Sequence, residues 1–409
     1  MATRAEIVVA LDIGTHRTAV LVAERVAGRP RIVGVGTAPS RGLRRGAVVN
    51  IDATVQSISN AVREAERMAD CDIRAVLVSL GGSHVRSLDS VGMTPVRKRE
   101  VGADDLERVH DAARAVALPE DREVIHILPQ DYIVEGQAGI RDPQGMTGVR
   151  LEVRAHVLTA SKGAAQNIVR CCNQAGLQVS QVVAAPVASA RAVLTAEDRE
   201  LGVVVIDIGG GTTALVAVRD NAIRRVSVLG LGGGHITSDI AAGLRVSSAE
   251  AERLKLRHGQ ALASAVRPDE RVEVNGMSGQ EPAMLSRQIL AEIIEPRAEE
   301  ILSLVRERLE ETGLIGSVPA GVVLTGGTAA LPGLVELAKT VFRLPVRFGE
   351  PHHIAGVGDV VSGPMWATTI GLLELAGEEA ENFELLDSMP AGVVSRFRNR
   401  MGDWLREFF

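Results

Sequence analysis

The chain has 409 residues, a formal net charge of −6 and 46% hydrophobic residues, which leaves room for two large domains with real cores and argues against a nucleic-acid binder. Its three cysteines, Cys71, Cys171 and Cys172, lack metal-ligand spacing and suit a reducing compartment. No apolar run approaches the ~20 residues needed to cross a bilayer, and the start MATRAEIVVALDIG does not read as a signal peptide, because Asp12 interrupts it with a strand already under way.

Residues 5–37 read as three strands, 53–69 as a helix and 76–80 as a buried strand, a βββαβ start. The pattern then changes over 81–159. Strands at 84–91 and 124–134, a helix over 103–117 opened by Asp104-Asp105, and loops rich in Gly, Pro and Asp at 137–148 mark an inserted subdomain. Helix resumes at 162–175 and 188–196. The second half opens with 203–218, VVVIDIGGGTTALVAV, a strand, a tight turn and a second strand. A third strand at 223–229 leads through Leu231-Gly232-Gly233-Gly234 to a helix near 237–243. Ser247, three residues before Glu250, reads as a capping box for a helix over 247–259. A strand near 271–274, a long helix over 282–313, a strand at 321–324, a glycine loop at 324–329, a helix over 331–340 and a closing helix over 364–376 complete the core.

The stretch 9–23, VALDIGTHRTAVLVA, repeats the Asp-Ile-Gly of 203–218 at an offset of 195 residues, between matching apolar runs. That is a duplicated domain and not a short-period repeat. Glycines without Cβ are expected to let the turn take positive φ and bring its N–H groups to an anion. Thr212 and Thr213 add hydroxyl donors, and Asp12 and Asp207 at the turn mouths can hold a magnesium ion through water. Two such hairpins facing each other would clamp a polyphosphate and its metal, and bare Gly326 and Gly327 in the third loop would let a purine lie against the backbone. A single turn of this kind is also what an ordinary hairpin looks like; three loops in this order resemble the actin, Hsp70 and sugar-kinase superfamily and imply ATP with Mg2+.

Within that superfamily the chain resembles the bacterial cell-division family FtsA along essentially its whole length. LDIGTHR, IDIGGGTT, VLTGGTAALPG, GGGHITSDIA, AEAERLKLRHG and ILAEIIEPRAEEI carry the likeness, together with the insertion SLGGSHVRSLDSVG…HILPQDYIV…RDPQGMTGVRLE…HVLTA. The resemblance implies an α/β, actin-like two-domain fold from a duplicated βββαβαβα core. Domain 1 would take 1–83, 161–200 and 362–377, with an FtsA-type insert at 84–160. Domain 2 would take 201–229 and 304–361, with a smaller subdomain at 230–303. An acidic linker, 378–391, and an amphipathic helix, 392–409, would follow. Asp12 and Asp207 would hold magnesium; Gly14, Thr15, Arg17, Gly209, Gly210, Gly211, Thr212 and Thr213 would cradle phosphates. Glu252 and Lys255 would meet ribose and adenine, and Gly326 with Gly327 the adenine. Lys255 also stands out by composition, as one of four lysines among 45 basic residues. Arg17 replaces a more usual lysine, and binds phosphate with a planar fork instead. The segment 184–190, AAPVASA, lacks the glutamate that the actin relative MreB places there, so slow or no hydrolysis is expected.

The tail has its own signature. Glu378, Glu379, Glu381, Glu384 and Asp387 form an acidic stretch without a base. In 393–409, Val393, Val394, Phe397, Met401, Trp404, Leu405, Phe408 and Phe409 share one helical face, and Arg396, Arg400 and Arg406 flank it. Four of the nine aromatic residues fall in the last thirteen positions. A terminal helix can simply dock on the core; an aromatic face after an acidic linker fits an in-plane membrane anchor, with Phe397, Arg400, Met401, Trp404, Leu405, Phe408 and Phe409 meeting anionic lipid. The family implies a peripheral protein on the cytoplasmic side of the bacterial inner membrane at midcell. It would tether FtsZ through the FtsZ C-terminal tail, with Arg287 and Arg297 as contacts, self-associate, and recruit later division proteins. Three rivals share parts of this pattern: the pilus-assembly relative PilM, a sugar kinase, and an Hsp70-type chaperone. The basic amphipathic terminus speaks against the first, the lack of a recognisable catalytic Asp and sugar pocket against the second, and the lack of a peptide-binding domain against the third.

Overall fold

The computed structural model describes residues 6–26, 29–276, 281–352, 354–357 and 361–376; the acidic and amphipathic segments from 378 onward lie outside the described residues. The first half builds β1 (Ile7–Ile13), β2 (Arg17–Val26), β3 (Arg29–Pro39), a small hairpin of β4 (Leu43–Arg44) and β5 (Ala47–Val48), α1 (Ile51–Ala69) and β6 (Ala75–Leu80). The insert follows as β7 (Arg86–Pro95), α2 (Ala103–Arg114), β8 (Arg122–Val134), β9 (Gln137–Ile140) and β10 (Arg150–Ser161). Then come α3 (Lys162–Gln174), β11 (Gln178–Ala184), α4 (Ala185–Val193) and α5 (Ala196–Leu201). The second half builds β12 (Val203–Ile208), β13 (Thr213–Arg219), β14 (Ala222–Leu229), α6 (Gly233–Leu244), α7 (Ser248–His258), β15 (Arg271–Val274), β16 (Ala283–Ser286), α8 (Arg287–Glu311), β17 (Val322–Thr325), α9 (Leu334–Phe342) and β18 (Val346–Phe348). β19 (Ala355–Gly356) and a closing helix at 367–376 end the described core.

The duplication is visible strand by strand. One sheet runs β11-β6-β1-β2-β3-β19 and the other β18-β17-β12-β13-β14, the same order apart from the added β19. In each, the first strand of the hairpin pairs antiparallel with the second and parallel with a strand from a helical crossover. These strands are apolar on both faces because helices cover both sides, and Val203 to Ile206 are fully buried. Two core clusters back the second half and the domain junction, and a third backs the first half.

The insert is a separate antiparallel sheet, β7-β10-β8-β9. α2 buries Val109 and Ala113 against Leu151, Val153 and Ala155, a small core of its own. The insert is fastened to both halves. His126 on β8 accepts the Ala184 N–H at 2.9 Å, at the entry to α4. His156 on β10 accepts the Val226 N–H at 3.1 Å, and Ser87 donates to the Val226 carbonyl at 2.7 Å, along the outer edge of β14.

Two local expectations change. Residues 283–286 pair with β15 instead of starting a helix, so α8 begins at Arg287. Ser247 does cap α7 by accepting the Glu250 N–H at 3.2 Å, but the Glu250 carboxylate turns to Arg253 and Asn275 and does not return to Ser247. Those donors hold Glu250 down at about 2. The closing helix crosses α4 so closely that a Cβ on Gly371 would lie 1.8 Å from the Ala188 carbonyl oxygen.

Candidate nucleotide site between the two hairpins

The two hairpin turns are built alike. Gly14 N–H donates to the Arg17 carbonyl at 3.0 Å, and Gly209 N–H to the Thr212 carbonyl at 2.9 Å. Asp12 lies opposite Ala19, and Asp207 opposite Ala214, so small residues leave the carboxylates room on their face of each ladder. The tips meet. A Cβ on Gly211 would fall 2.5 Å from Thr15 Oγ1, and one on Gly210 would fall 2.7 Å from His16 Cγ. Gly14, Gly209, Gly210 and Gly211 all have ordinary backbone conformations, so the expected positive φ is absent. Glycine is required here for close approach and not for handedness.

The backbone of the second turn is sorted into acceptors and donors. The Gly209 carbonyl accepts from Gly233 N–H at 2.9 Å and from Thr328 Oγ1 at 3.1 Å, and the Gly210 carbonyl accepts from Gly234 N–H at 2.7 Å. With these carbonyls held against α6 and the third loop, the N–H groups of Thr15, His16, Gly210 and Gly211 have no hydrogen-bond partner among the described residues. Such a cluster of donors suits an anion. Thr213 does not join it: its hydroxyl donates to the Leu231 carbonyl at 2.9 Å and fixes the approach to α6. Thr212 remains at the rim, half-buried.

The two carboxylates lie at the mouths of the two turns, close enough for the charge of Asp12 to act on Asp207. Burial raises Asp12, partly offset by the Ser79 hydroxyl at 2.6 Å and by Arg17. Burial pushes Asp207 up to about 6, with the Asp12 charge adding to the shift and hydrogen bonds from Ser189 and Thr368 opposing it. Two confined carboxylates that repel each other fit a divalent cation, which would remove both penalties. Among the described residues no third His, Cys, Asp or Glu joins them. Water and ligand oxygens would therefore complete the coordination sphere of a magnesium ion there.

The remaining residues separate into those at the cleft and those away from it. Gly326 has φ +85° and sits against Asp207, and Gly327 is open except for Met365. Lys255, 8% exposed, spends its three donors on Gly233 O (3.2 Å), Thr237 Oγ1 (2.9 Å) and Glu252 Oε2 (2.7 Å). The ammonium thus locks α7 to α6, and Glu252 is the more exposed partner of the pair. Arg17 Nη2 donates to the Met365 carbonyl at 2.6 Å, and the guanidinium lies 4.1 Å from the Trp366 ring centroid. Arg287 pairs with Glu270, and Arg297 with Asp239 and Glu300, along α8 and outside the cleft. The first turn of α4 carries no acid. Phe397, Arg400, Met401, Trp404, Leu405, Phe408 and Phe409 lie outside the described residues. Ser79, Ser189, Thr328, Met365, Trp366 and Thr368 enter the site from strands and helices distant in sequence; Ser79, Ser189, Thr328 and His16 lie inside recognisable stretches, but nothing local marks their side chains as site groups.

Two family models match the chain: "Cell division protein FtsA" over residues 204–371 and "SHS2 domain inserted in FTSA" over residues 82–159. The chain is 46% identical to cell division protein FtsA of Pseudomonas aeruginosa over 369 residues, covering 90% of this chain and 88% of the relative. It is 39% identical to FtsA of Escherichia coli K12 over 417 residues, covering 100% and 99%. Among solved structures, the PilM–PilN type IV pilus biogenesis complex matches with TM-score 0.67 at 20% identity, covering 91% of this chain and 99% of that one. MreB5 of Spiroplasma citri bound to ADP matches with TM-score 0.59 at 16% identity, covering 93% and 98%. These structural likenesses establish the actin-like fold.

Proposed function

The chain belongs to the FtsA family and is an actin-like cell-division protein, and from that premise we propose that it is an ATP-binding membrane anchor for FtsZ filaments. The observation that carries the nucleotide part is the meeting of the two hairpin tips beside Asp12 and Asp207, with N–H donors on both that have no partner among the described residues. Gly14, Thr15, Gly209, Gly210, Gly211 and Thr212 hold the phosphates, Asp12 and Asp207 hold Mg2+, and Gly326, Gly327 and Glu252 face the nucleoside. With no acid at the start of α4 to orient an attacking water, hydrolysis is slow or absent, and the nucleotide acts as a conformational ligand.

The amphipathic segment 392–409 supplies the membrane contact, on the cytoplasmic face at the division site. Each arginine near an anionic surface contributes ~1 kcal/mol and each part-buried large side chain ~1–2 kcal/mol, so one copy binds reversibly. Linking copies through the core raises avidity by roughly 10²–10⁴. The smaller subdomain at 230–303 receives the FtsZ tail, beside Arg287 and Arg297, and the insert at 84–160 serves self-association and later division proteins. The pilus-assembly reading loses ground because PilM is a neighbour in fold at 20% identity, whereas the relatives at 39–46% identity over most of the chain are FtsA proteins.

The test is co-sedimentation of the full chain and of a truncation after residue 392 with anionic vesicles, with and without ATP and FtsZ. The full chain is expected to bring FtsZ to the vesicles and the truncation to leave it in solution. Sedimentation of FtsZ by both proteins would refute the anchor, and by neither the tether.

A further inference from the structure

All three glycine loops are wired to one short segment, the entry to the closing helix. The Pro364 carbonyl accepts from Gly326 N–H at 3.2 Å and from Thr325 Oγ1 at 3.3 Å, at the third loop. Thr368 hydrogen-bonds Asp207 at the second hairpin. Arg17, at the end of the first turn, reaches Met365 with one nitrogen on the carbonyl at 2.6 Å and another on the sulfur at 3.1 Å, and covers the Trp366 ring. Trp366 is 5% exposed and belongs to the core at the domain junction. At the far end of the same helix, Arg25 of β2 donates to the Ala376 carbonyl at 2.7 Å. Strand β2 therefore holds the closing helix by an arginine at each end, and the acidic segment begins two residues beyond.

The two arginines differ in what can displace them. Arg25 lies at the far end of β2, away from the first turn. Arg17 belongs to the turn that offers donors to an anion, and its partners on the closing segment are a carbonyl, a thioether and an indole face, all neutral. Hydrogen bonds from a guanidinium to phosphate are roughly twice as strong as those between neutral groups, and the fork can engage two oxygens at once. The Arg17 backbone need not move, because its carbonyl is already held by Gly14 N–H within the turn; a change of side-chain rotamer suffices.

We propose that Arg17 is a phosphate-operated latch: a bound nucleoside polyphosphate draws its guanidinium from Met365 and Trp366 to the phosphates, and so releases the entry of the helix that leads to the C-terminal segment. This rests on the nucleotide reading given above. It supplies a physical route from the cleft to the tail, through a residue that would otherwise be a simple phosphate ligand.

The chain has two tryptophans, Trp366 and Trp404, so the full-length W404F variant makes Trp366 the sole reporter. Emission is followed during titration with Mg-ATP and, separately, with adenosine, while calorimetry measures binding in the same samples. The expected result is an emission shift that saturates with the ATP binding isotherm and is absent with adenosine. In R17Q/W404F the emission without nucleotide should already equal the ATP-saturated value, and hydrogen exchange of residues 367–376 should be raised without nucleotide to the level the Arg17 protein reaches with it. A merely structural Arg17 would not make the unliganded variant mimic the liganded parent. ATP binding without a shift in Trp366 emission, or a shift that persists in R17Q/W404F, overturns the latch while leaving the nucleotide site intact. No binding by calorimetry overturns both.

Discussion

Acidification should loosen the joint between the insert and the domain junction through one half-buried histidine. His126 Nε2 accepts the Ala184 N–H at 2.9 Å, which fixes the ring as the neutral Nδ1–H tautomer. Burial pushes its pKa down from 6.5 to about 4. Because the folded value is the lower one, the unfolded chain binds more protons between these limits. Stability is therefore fully present above the unfolded value and is lost as pH falls through the window toward the folded one. Between about pH 8 and about pH 5 the ring alone accounts for roughly 2 kcal/mol by this linkage, and about 1–2 kcal/mol once its partial solvent contact is allowed for. Burial shifts His84, His110 and His156 in the same direction, whereas it raises Asp12, Asp207 and Glu123 and so works the other way, and only a comparison at one site separates the two. The contribution of His126 is isolated by H126Q, which keeps a hydrogen-bond acceptor but cannot take the proton. Urea unfolding of both proteins at about pH 8 and about pH 5 should show a loss on acidification smaller by about 1–2 kcal/mol in H126Q. Equal losses in the two proteins would mean that the ring takes up its proton in the folded state without cost, and the reasoning from burial and the Ala184 contact would fail.

Two other substitutions probe the packing and the polar lock beside the cleft. Gly371→Ala places a Cβ 1.8 Å from a backbone oxygen of α4; neither helix can yield locally, so unfolding by denaturant should show a loss of roughly 2–4 kcal/mol. Lys255→Met strips three acceptors of their shared donor and should cost roughly 3 kcal/mol, with Lys255→Arg failing to restore it because a planar fork does not converge on one point as an ammonium does; full recovery in the arginine variant, measured the same way, would show that only the charge matters.

The hairpins, the long helices and the closing helix were legible because each has a local cause: β-branched runs into a glycine turn, or apolar residues on a 3.6 repeat. β10, the strand paired on both sides within the insert sheet, was not. RLEVRAHVLTAS mixes arginine and histidine into the run, and its His156 is buried only because Asp89 and the Val226 N–H meet both ring nitrogens. β16 was absorbed into the helix that follows it, because its strand state depends on a partner across the turn, β15. At the cleft, Asp12 and Asp207 announced themselves through the repeat, whereas Ser79, Ser189 and Thr368 reach those carboxylates from elsewhere in the chain. Lys255 stands out in the sequence by rarity alone, and the structure gives a steric reason for it: three acceptors from two helices surround one nitrogen.

The most informative departure concerns the glycines themselves. By register Gly14 matches Gly209, Thr15 matches Gly210, His16 matches Gly211 and Arg17 matches Thr212. A strict repeat would put glycines at both tips or side chains at both. Two bare tips would leave a gap between the domains, and two substituted tips would collide, since a Cβ on Gly210 or Gly211 already runs into His16 or Thr15. One tip therefore carries the side chains and the other accommodates them. This division also leaves the N–H groups of both tips without a hydrogen-bond partner among the described residues, which is what a polyphosphate clamp requires. The same asymmetry places a long cation, Arg17, on the first hairpin and a short hydroxyl, Thr212, on the second. Only the first hairpin can reach across to Met365 and Trp366. Divergence of two copies of one turn thus separated two tasks, with the second copy shaped for close backbone approach and the first for contact beyond the cleft.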